Sequence, residues 1–83
     1  MAERTSNEQD VSRSEAAELL QELALELRNE GPADVRVGNK TLRLSPASVL
    51  EYAIEVEERS PMLGGHREEI TVSLEWKVEE EES

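Results

Sequence analysis

The chain of 83 residues contains no cysteine. Disulfide bonds and zinc or iron–sulfur centres held by cysteine are therefore excluded. Phenylalanine is also absent, so one tryptophan and one tyrosine make up the whole aromatic content. With so few large apolar side chains, we expect one small domain near the size limit at which a single core is stable by itself.

Long apolar runs are missing as well. A helix that spans a bilayer needs roughly 20 consecutive apolar residues, and no run in this chain approaches that length. The N-terminal stretch MAERTSNEQD lacks the apolar centre that a signal peptide requires. We therefore expect an intracellular protein of the cytoplasm that has no membrane partner.

Cations are scarce, because 9 lysines and arginines stand against 20 aspartates and glutamates, for a formal net charge of −11. Phosphate backbones and anionic lipids are bound by clustered cations, so we expect no nucleic-acid partner. The acidity leaves two interpretations: a disordered acidic chain, or a folded domain adapted to high salt. The pattern of apolar residues decides between them.

A helix is predicted after a polar N-terminal segment. Residues 1–10 are polar and aperiodic, and we expect a flexible tail there. Ser12 and Glu15 have the spacing of a capping box, whereas Gly31 and Pro32 end the helical pattern, with Gly31 as the expected C-terminal cap. Between them, apolar residues recur at intervals of three and four and form one stripe. The stripe consists of Ala16, Leu19, Leu20, Leu23, Ala24 and Leu27.

Beyond the helix the apolar period changes from 3.6 to 2, which is typical of strands. The stretch VRVGNKTLRL predicts a hairpin with Gly38 and Asn39 in its turn. Pairing Val37 with either Lys40 or Leu42 keeps the apolar residues on one face. The sequence therefore leaves the register of this hairpin undecided. In either register its apolar side chains lie on the same face.

Two further strands are predicted, preceded by breaks at SPAS and at RSPMLGGH. In both, apolar and polar residues alternate, so that each strand has one apolar face. The inward residues are Leu50, Tyr52, Ile54 and Val56 in the third strand, and Ile70, Val72, Leu74, Trp76 and Val78 in the fourth.

These elements predict an α+β fold in which one N-terminal amphipathic helix packs on one face of a four-stranded antiparallel meander sheet. The folded domain covers residues 11–79, and residues 80–83 form an acidic C-terminal tail. We expect the last two strands to pair symmetrically about residue 63. The pairs are then Trp76 with Leu50, Tyr52 with Leu74, Glu51 with Glu75, and Glu57 with Glu69.

Like charges recur on the helix as they do across these strands. The helix carries Glu15, Glu18, Glu22 and Glu26 at helical spacing. Each such pair costs on the order of 0.2 to 0.5 kcal/mol in dilute buffer, and concentrated salt screens most of that cost. Together with only two lysines and no phenylalanine, this repulsion indicates a protein of a high-salt cytoplasm, the alternative being an ordinary acidic mesophilic domain.

The order of these motifs resembles a known family. SRSEAAELLQELALEL, VRVGNKTLRLSP, LEYAIEVEE and ITVSLEWKVEE are similar to the amphi-Trp domain, a module named for its amphipathic pattern and its tryptophan near the C-terminus. The resemblance covers about Ser12 to Glu79. It implies the same fold, the tryptophan and a halophilic setting, and it implies no activity.

The sequence contains few residues suited to catalysis or to binding a metal ion or phosphate. His66 is the only histidine and lies beside glycines in a predicted loop, where we expect it to be exposed. The serines have no other histidine and no sequence pattern that pairs them with one, so we do not expect nucleophilic catalysis. The glutamates do not have the loop spacing of a calcium or magnesium site, and GNK and LGGH are too short to hold phosphate. We therefore predict no catalytic residue, no cofactor and no metal ligand.

The last strand is the candidate site. Trp76 lies either in the core or partly exposed at an interface, since tryptophan is enriched at binding hot spots. One helix layer leaves part of a four-stranded sheet uncovered, and an edge strand pairs readily with a second copy. We predict an interface of Tyr52, Leu74, Trp76 and Val78 that binds a second copy or another protein. The alternatives are a small-molecule or ion site between helix and sheet and, third, an enzyme.

A salt series tests the high-salt interpretation. Between about 0.1 and 3 M salt we expect the chain to compact and the tryptophan emission to shift to the blue, because screening relieves the repulsion between carboxylates. Fluorescence and sedimentation on the same sample measure both effects. A stable monomer with a buried Trp76 at every salt concentration would contradict the interpretation.

Overall fold

A computed structural model of the chain describes residues 2–60 and 64–78. The class is α+β, as predicted, with one helix and four strands. The elements are α1 (Arg13–Arg28), β1 (Ala33–Val37), β2 (Lys40–Leu44), β3 (Glu51–Arg59) and β4 (Arg67–Glu75). They fall into two compact units, Met1–Pro46 and Ala47–Ser83. The predicted acidic tail at 80–83, and part of the predicted break before β4, lie outside the described residues.

Helix α1 begins where its N-cap was predicted. The side chain of Ser12 accepts a hydrogen bond from the backbone N–H of Glu15 at 3.0 Å, which satisfies one of the free donors of the first turn. At the other end, the N–H of the C-cap residue Asn29 donates to the carbonyl of Leu25 at 3.4 Å. The predicted cap at Gly31 is wrong. With φ of 93°, Gly31 instead lies in the connection to β1.

Strands β1 and β2 form a hairpin in which Val37 pairs with Lys40, so the shorter of the two open registers is adopted. The turn residue Gly38 has φ of 65°, and Asn39 has a negative φ. These signs match a type II′ turn, whose first central position favours glycine. A Cβ at Gly38 would also lie 2.8 Å from Oδ1 of Asn7, but that atom ends an exposed side chain that can move aside, so the positive φ is the reason for glycine there.

One face of this hairpin is turned away from water. Ala33 is buried, and the half-buried residues alternate with exposed ones, as the period of 2 predicts. The half-buried residues are Val35, Val37, Leu42 and Leu44. Helix α1 lies against β1, and the carboxylate of Glu26 accepts a hydrogen bond from the N–H of Asp34 at 2.9 Å. The helix stripe is only partly covered, since Leu20 is 62% exposed.

The second hairpin pairs β3 with β4 over nine rungs that are symmetric about residue 63, as predicted. Tyr52 lies opposite Leu74, and Glu51 lies opposite Glu75. The predicted strand to Val78 is too long, because β4 ends at Glu75. Its partner β3 begins at Glu51, which pairs with Glu75. The described residues after Glu75, among them Trp76 and Val78, therefore lie beyond the end of the ladder.

The single four-stranded sheet is not confirmed. The described strands lie in two two-stranded sheets, β1–β2 and β3–β4. Pro46 lies in the non-strand segment 45–50 between them and has no N–H to donate to a ladder. Alternating apolar residues have the same pattern in one sheet or in two hairpins, so the pattern does not specify pairing between β2 and β3. In the described ranges, no helix has the length and apolar character to cross a membrane.

The N-cap of α1 gives a stability prediction. Ser12→Ala removes the acceptor of the Glu15 N–H and should lower the free energy of unfolding by about 0.5 to 2 kcal/mol. Ser14→Ala is the matched control, because Ser14 is exposed within the helix and alanine favours helix there. Denaturant unfolding followed by circular dichroism measures both. Equal stability of the two variants would contradict the capping role.

Candidate functional site

An exposed apolar face on the β3–β4 hairpin is the most distinctive surface of the described residues. Paired residues and every second residue of a strand lie on the same side of a sheet. Three alternate rungs therefore place six apolar side chains on one side, which we call the hairpin face. Its members are Tyr52 and Leu74, Ile54 and Val72, and Val56 and Ile70.

Five of these six side chains are largely accessible to water, and Leu74 is half-buried. Ile70 is 71% exposed, Val56 62%, Tyr52 61%, Ile54 56% and Val72 46%. Folded domains normally remove the apolar side of a strand from solvent, and a contiguous apolar patch marks an interaction surface. The exposure is therefore a feature that needs a physical explanation.

The two ends of the hairpin face differ in chemistry. At the loop end, the next rung on the same side pairs Glu58 with Glu68. At the open end, Leu50 and Trp76 lie just beyond the last rung and line one shallow depression together with Lys77. Trp76 is half-buried. The apolar strip is thus bounded by two carboxylates at one end and by the only tryptophan at the other.

The opposite side of the hairpin is acidic. Glu51 faces Glu75 and Glu57 faces Glu69, as the sequence predicted. Arg59 offsets part of this charge, with its guanidinium 3.5 Å from the carboxylate of Glu69 and 3.9 Å from that of Glu57. These pairs are exposed, so each stabilises the hairpin only slightly. The hairpin has one apolar and one mainly anionic side.

The structure brings together some of the predicted interface residues. Tyr52 and Leu74 form one rung of the hairpin face, and Trp76 lies beyond its open end. Val78 is 52% exposed and lies three residues after the end of β4, outside the ladder.

Sequence reasoning missed the central residues of this surface. It assigned Ile54, Val56, Ile70 and Val72 to the inside of the sheet, whereas each is at least 46% exposed. The sequence did indicate that one helix layer leaves part of four one-sided strands uncovered, but this imbalance does not tell which of the apolar residues are exposed.

A second concave region lies between α1 and β1. This groove has a volume of about 770 Å³ and is lined mainly by aliphatic side chains, among them Leu19, Leu23, Val35 and Val37. Carboxylates also line it, but one of them, Glu26, is already occupied by the N–H of Asp34. The groove suits an apolar group better than a polar ligand.

The structure also reveals a serine–histidine pair that no sequence pattern indicated. Oγ of Ser60 lies 2.7 Å from Nδ1 of His66, and both residues are exposed. A serine nucleophile needs its histidine to be oriented by a third group in a site that excludes water. In the described part of the chain, no carboxylate is hydrogen-bonded to His66, and no cluster of three or more acidic or histidine side chains is placed to hold a metal.

These features define a small α+β protein with amphipathic strands and a tryptophan next to its last strand. The Amphi-Trp domain matches residues 1–83, the whole length of the chain. The chain therefore belongs to the Amphi-Trp domain family, as its motifs indicated. Comparison with curated proteins and with solved structures yielded no match.

The register of β3 and β4 makes the charge repulsion testable. Glu51→Lys places a lysine opposite Glu75 and should stabilise the fold by roughly 0.2 to 1 kcal/mol at 0.1 M salt. The gain should shrink at 1 M salt, where the Debye length falls to about 3 Å.

Glu55→Lys is the matched control for that substitution. It lies on the same strand and the same side and changes the net charge equally, but it faces Thr71. Denaturant unfolding at both salt concentrations gives the difference. Equal stabilisation by the two lysines would show that net charge matters and that the Glu51–Glu75 rung does not.

Proposed function

We propose that the chain is a noncatalytic interaction module of a high-salt cytoplasm, which self-associates through its last strand and the surface next to Trp76. The observation that carries the proposal is the exposure of the hairpin face, where Ile70 at the loop end of the strip is 71% accessible. Apolar area of this kind is stabilising only when another surface removes it from water.

The energetics of the hairpin support this proposal. An isolated two-stranded hairpin is marginally stable at best in water. Full burial of one valine, leucine or isoleucine contributes roughly 1.5 to 3 kcal/mol, and β3 and β4 expose several such side chains along one side. A partner that covers the strip would therefore stabilise both the hairpin and the complex.

The charge of the chain argues for a protein as the partner. A formal net charge of −11 repels both phosphate backbones and anionic lipids. A protein surface with an apolar strip has no such conflict, and high salt screens the repulsion between two acidic chains. These considerations also connect the proposed function with the proposed high-salt cytoplasm.

The four-stranded sheet predicted from the sequence is an alternative proposal for the same strip. Pairing of β2 with β3 would let the chain's own helix cover the apolar side and would leave β4 as an edge strand. In that arrangement the chain is stable as a monomer unless the edge of β4 pairs with a second copy. The mass in solution, together with the effect of substitutions on each side of β3, separates these arrangements.

A ligand-binding function is the second candidate. The groove between α1 and β1, at about 770 Å³, has the size of small-molecule sites, which are roughly 300 to 1,000 Å³ and mostly apolar. Saturable binding of a small apolar compound that is lost on Leu23→Gln would favour it. An enzyme is the third candidate, supported only by the exposed Ser60–His66 contact.

Sedimentation of the full chain in about 2 to 3 M KCl tests self-association, since screening is strong at that concentration. We expect wild type to approach twice the mass of one chain as its concentration rises. Ile54→Asp puts a charge in the centre of the hairpin face and should abolish the dimer. Ala53→Asp is the matched control, because Ala53 lies on the opposite side of the same strand and should leave the dimer intact.

Two outcomes would overturn self-association. A wild type that stays a monomer up to millimolar concentration in high salt would do so directly. Equal loss of the dimer in both aspartate variants would show that added charge, rather than the hairpin face, controls the mass.

A further inference from the structure

The hairpin face is self-complementary about its middle rung. We infer that a second copy covers it with the same face, stacked so that the strands of the two copies run in opposite directions. This inference rests on the proposed self-association and adds the surface, the orientation and the position of the symmetry axis.

The position of the axis follows from the order of side chains along the strip. Four rungs of the ladder lie on this side of the hairpin, and from the open end to the loop end they are Tyr52 with Leu74, Ile54 with Val72, Val56 with Ile70, and Glu58 with Glu68. Leu50 and Trp76 follow just beyond the open end. The middle of the three apolar rungs is Ile54 with Val72. A twofold axis in the plane of contact, crossing the strands at this rung, places the three apolar rungs of one copy on the three apolar rungs of the other.

The charges select the antiparallel orientation. If the two loop ends lay on each other, Glu58 and Glu68 of both copies would form a cluster of four carboxylates, and like charges at close range are strongly unfavourable. With the strands reversed, those carboxylates instead lie over Leu50 and Trp76 of the other copy. The indole N–H of Trp76 is a hydrogen-bond donor and a carboxylate is an acceptor, so this end of the contact is also complementary.

The size of the face fits a small symmetric dimer. The largest apolar patch of a typical monomer covers roughly 300 to 600 Å², and a standard interface buries about 800 Å² on each partner. The six residues of the hairpin face, with Leu50 and Trp76 beyond its open end, are fewer than the roughly 20 to 30 residues that each side of a standard interface supplies. Symmetric dimers are the most frequent oligomers because one self-complementary patch is sufficient. We expect weak association that is strengthened by salt.

Single cysteines test the geometry without interference, because the chain has none of its own. Stacked sheets lie about 10 Å apart, and Val72 lies next to the axis, so a short bismaleimide should bridge Val72→Cys between two copies. Ser73→Cys is the control, since its side chain points to the acidic side of the same strand. In the full chain at about 2 to 3 M KCl, we expect at least about tenfold more bridged dimer for Val72→Cys, because the Ser73 positions lie on the outer sides of both sheets.

A second variant keeps the test informative if Val72→Cys does not fold. Ile54→Cys lies on the same level as Val72 and should be bridged as well. A reagent with one maleimide measures whether each thiol is accessible, and circular dichroism measures whether each variant is folded.

The outcomes separate this inference from the proposed function. Bridging of Val72→Cys and Ser73→Cys to the same extent would indicate pairing of strand edges, because edge pairing brings both sides of β4 close to the partner. A sedimenting dimer in which none of the three variants is bridged would place the contact elsewhere. Either result overturns stacking of the hairpin faces and leaves self-association standing, whereas a wild type that is a monomer overturns both.

Discussion

Burial of one-sided apolar strands is the constraint on which the rest of this structure depends. Each strand has a single apolar side, so it is stable only against a second apolar layer. In the first unit, the hairpin β1–β2 buries Ala33 and half-buries the aliphatic residues that share its face. In the second unit, β3 and β4 pair with each other along nine rungs, and their apolar side chains are left largely accessible. The proposed dimer follows from that difference.

Repulsion between carboxylates decides at which salt concentration the burial of these apolar side chains is sufficient to stabilise the fold. Many of the acidic residues lie on the helix and on the polar side of the β3–β4 hairpin, and two of its rungs there pair glutamate with glutamate. Arg59 compensates for only part of this charge, through exposed contacts to Glu57 and Glu69. In dilute buffer the repulsion opposes a small apolar gain, and salt removes the repulsion while leaving the apolar gain in place. A proposed high-salt setting and a proposed acidic dimer are therefore consistent with one another.

The features that could be predicted from the sequence are those that depend on neighbours along the chain. Ser12 lies three residues before Glu15, and this spacing alone placed the start of the helix. The register of β3 on β4 follows from two alternating patterns joined by a loop, so that Tyr52 could be placed opposite Leu74. Two contacts could not be predicted in this way. Asn7 lies against Gly38, and Oγ of Ser60 lies 2.7 Å from Nδ1 of His66, and no local pattern indicates either contact.

By itself, the sequence determined the number of elements, the side on which each strand is apolar, and the acidic character of the remaining surface. These properties follow from periods of 3.6 and 2 and from charge, which are local quantities. Only the tertiary structure decided that the strands form two hairpins, that β4 stops at Glu75, and that Ile54 and Val72 are accessible. The physical reason is that an alternating strand has the same pattern whichever layer covers it. Which apolar surfaces meet is decided by packing between elements that lie far apart in the chain.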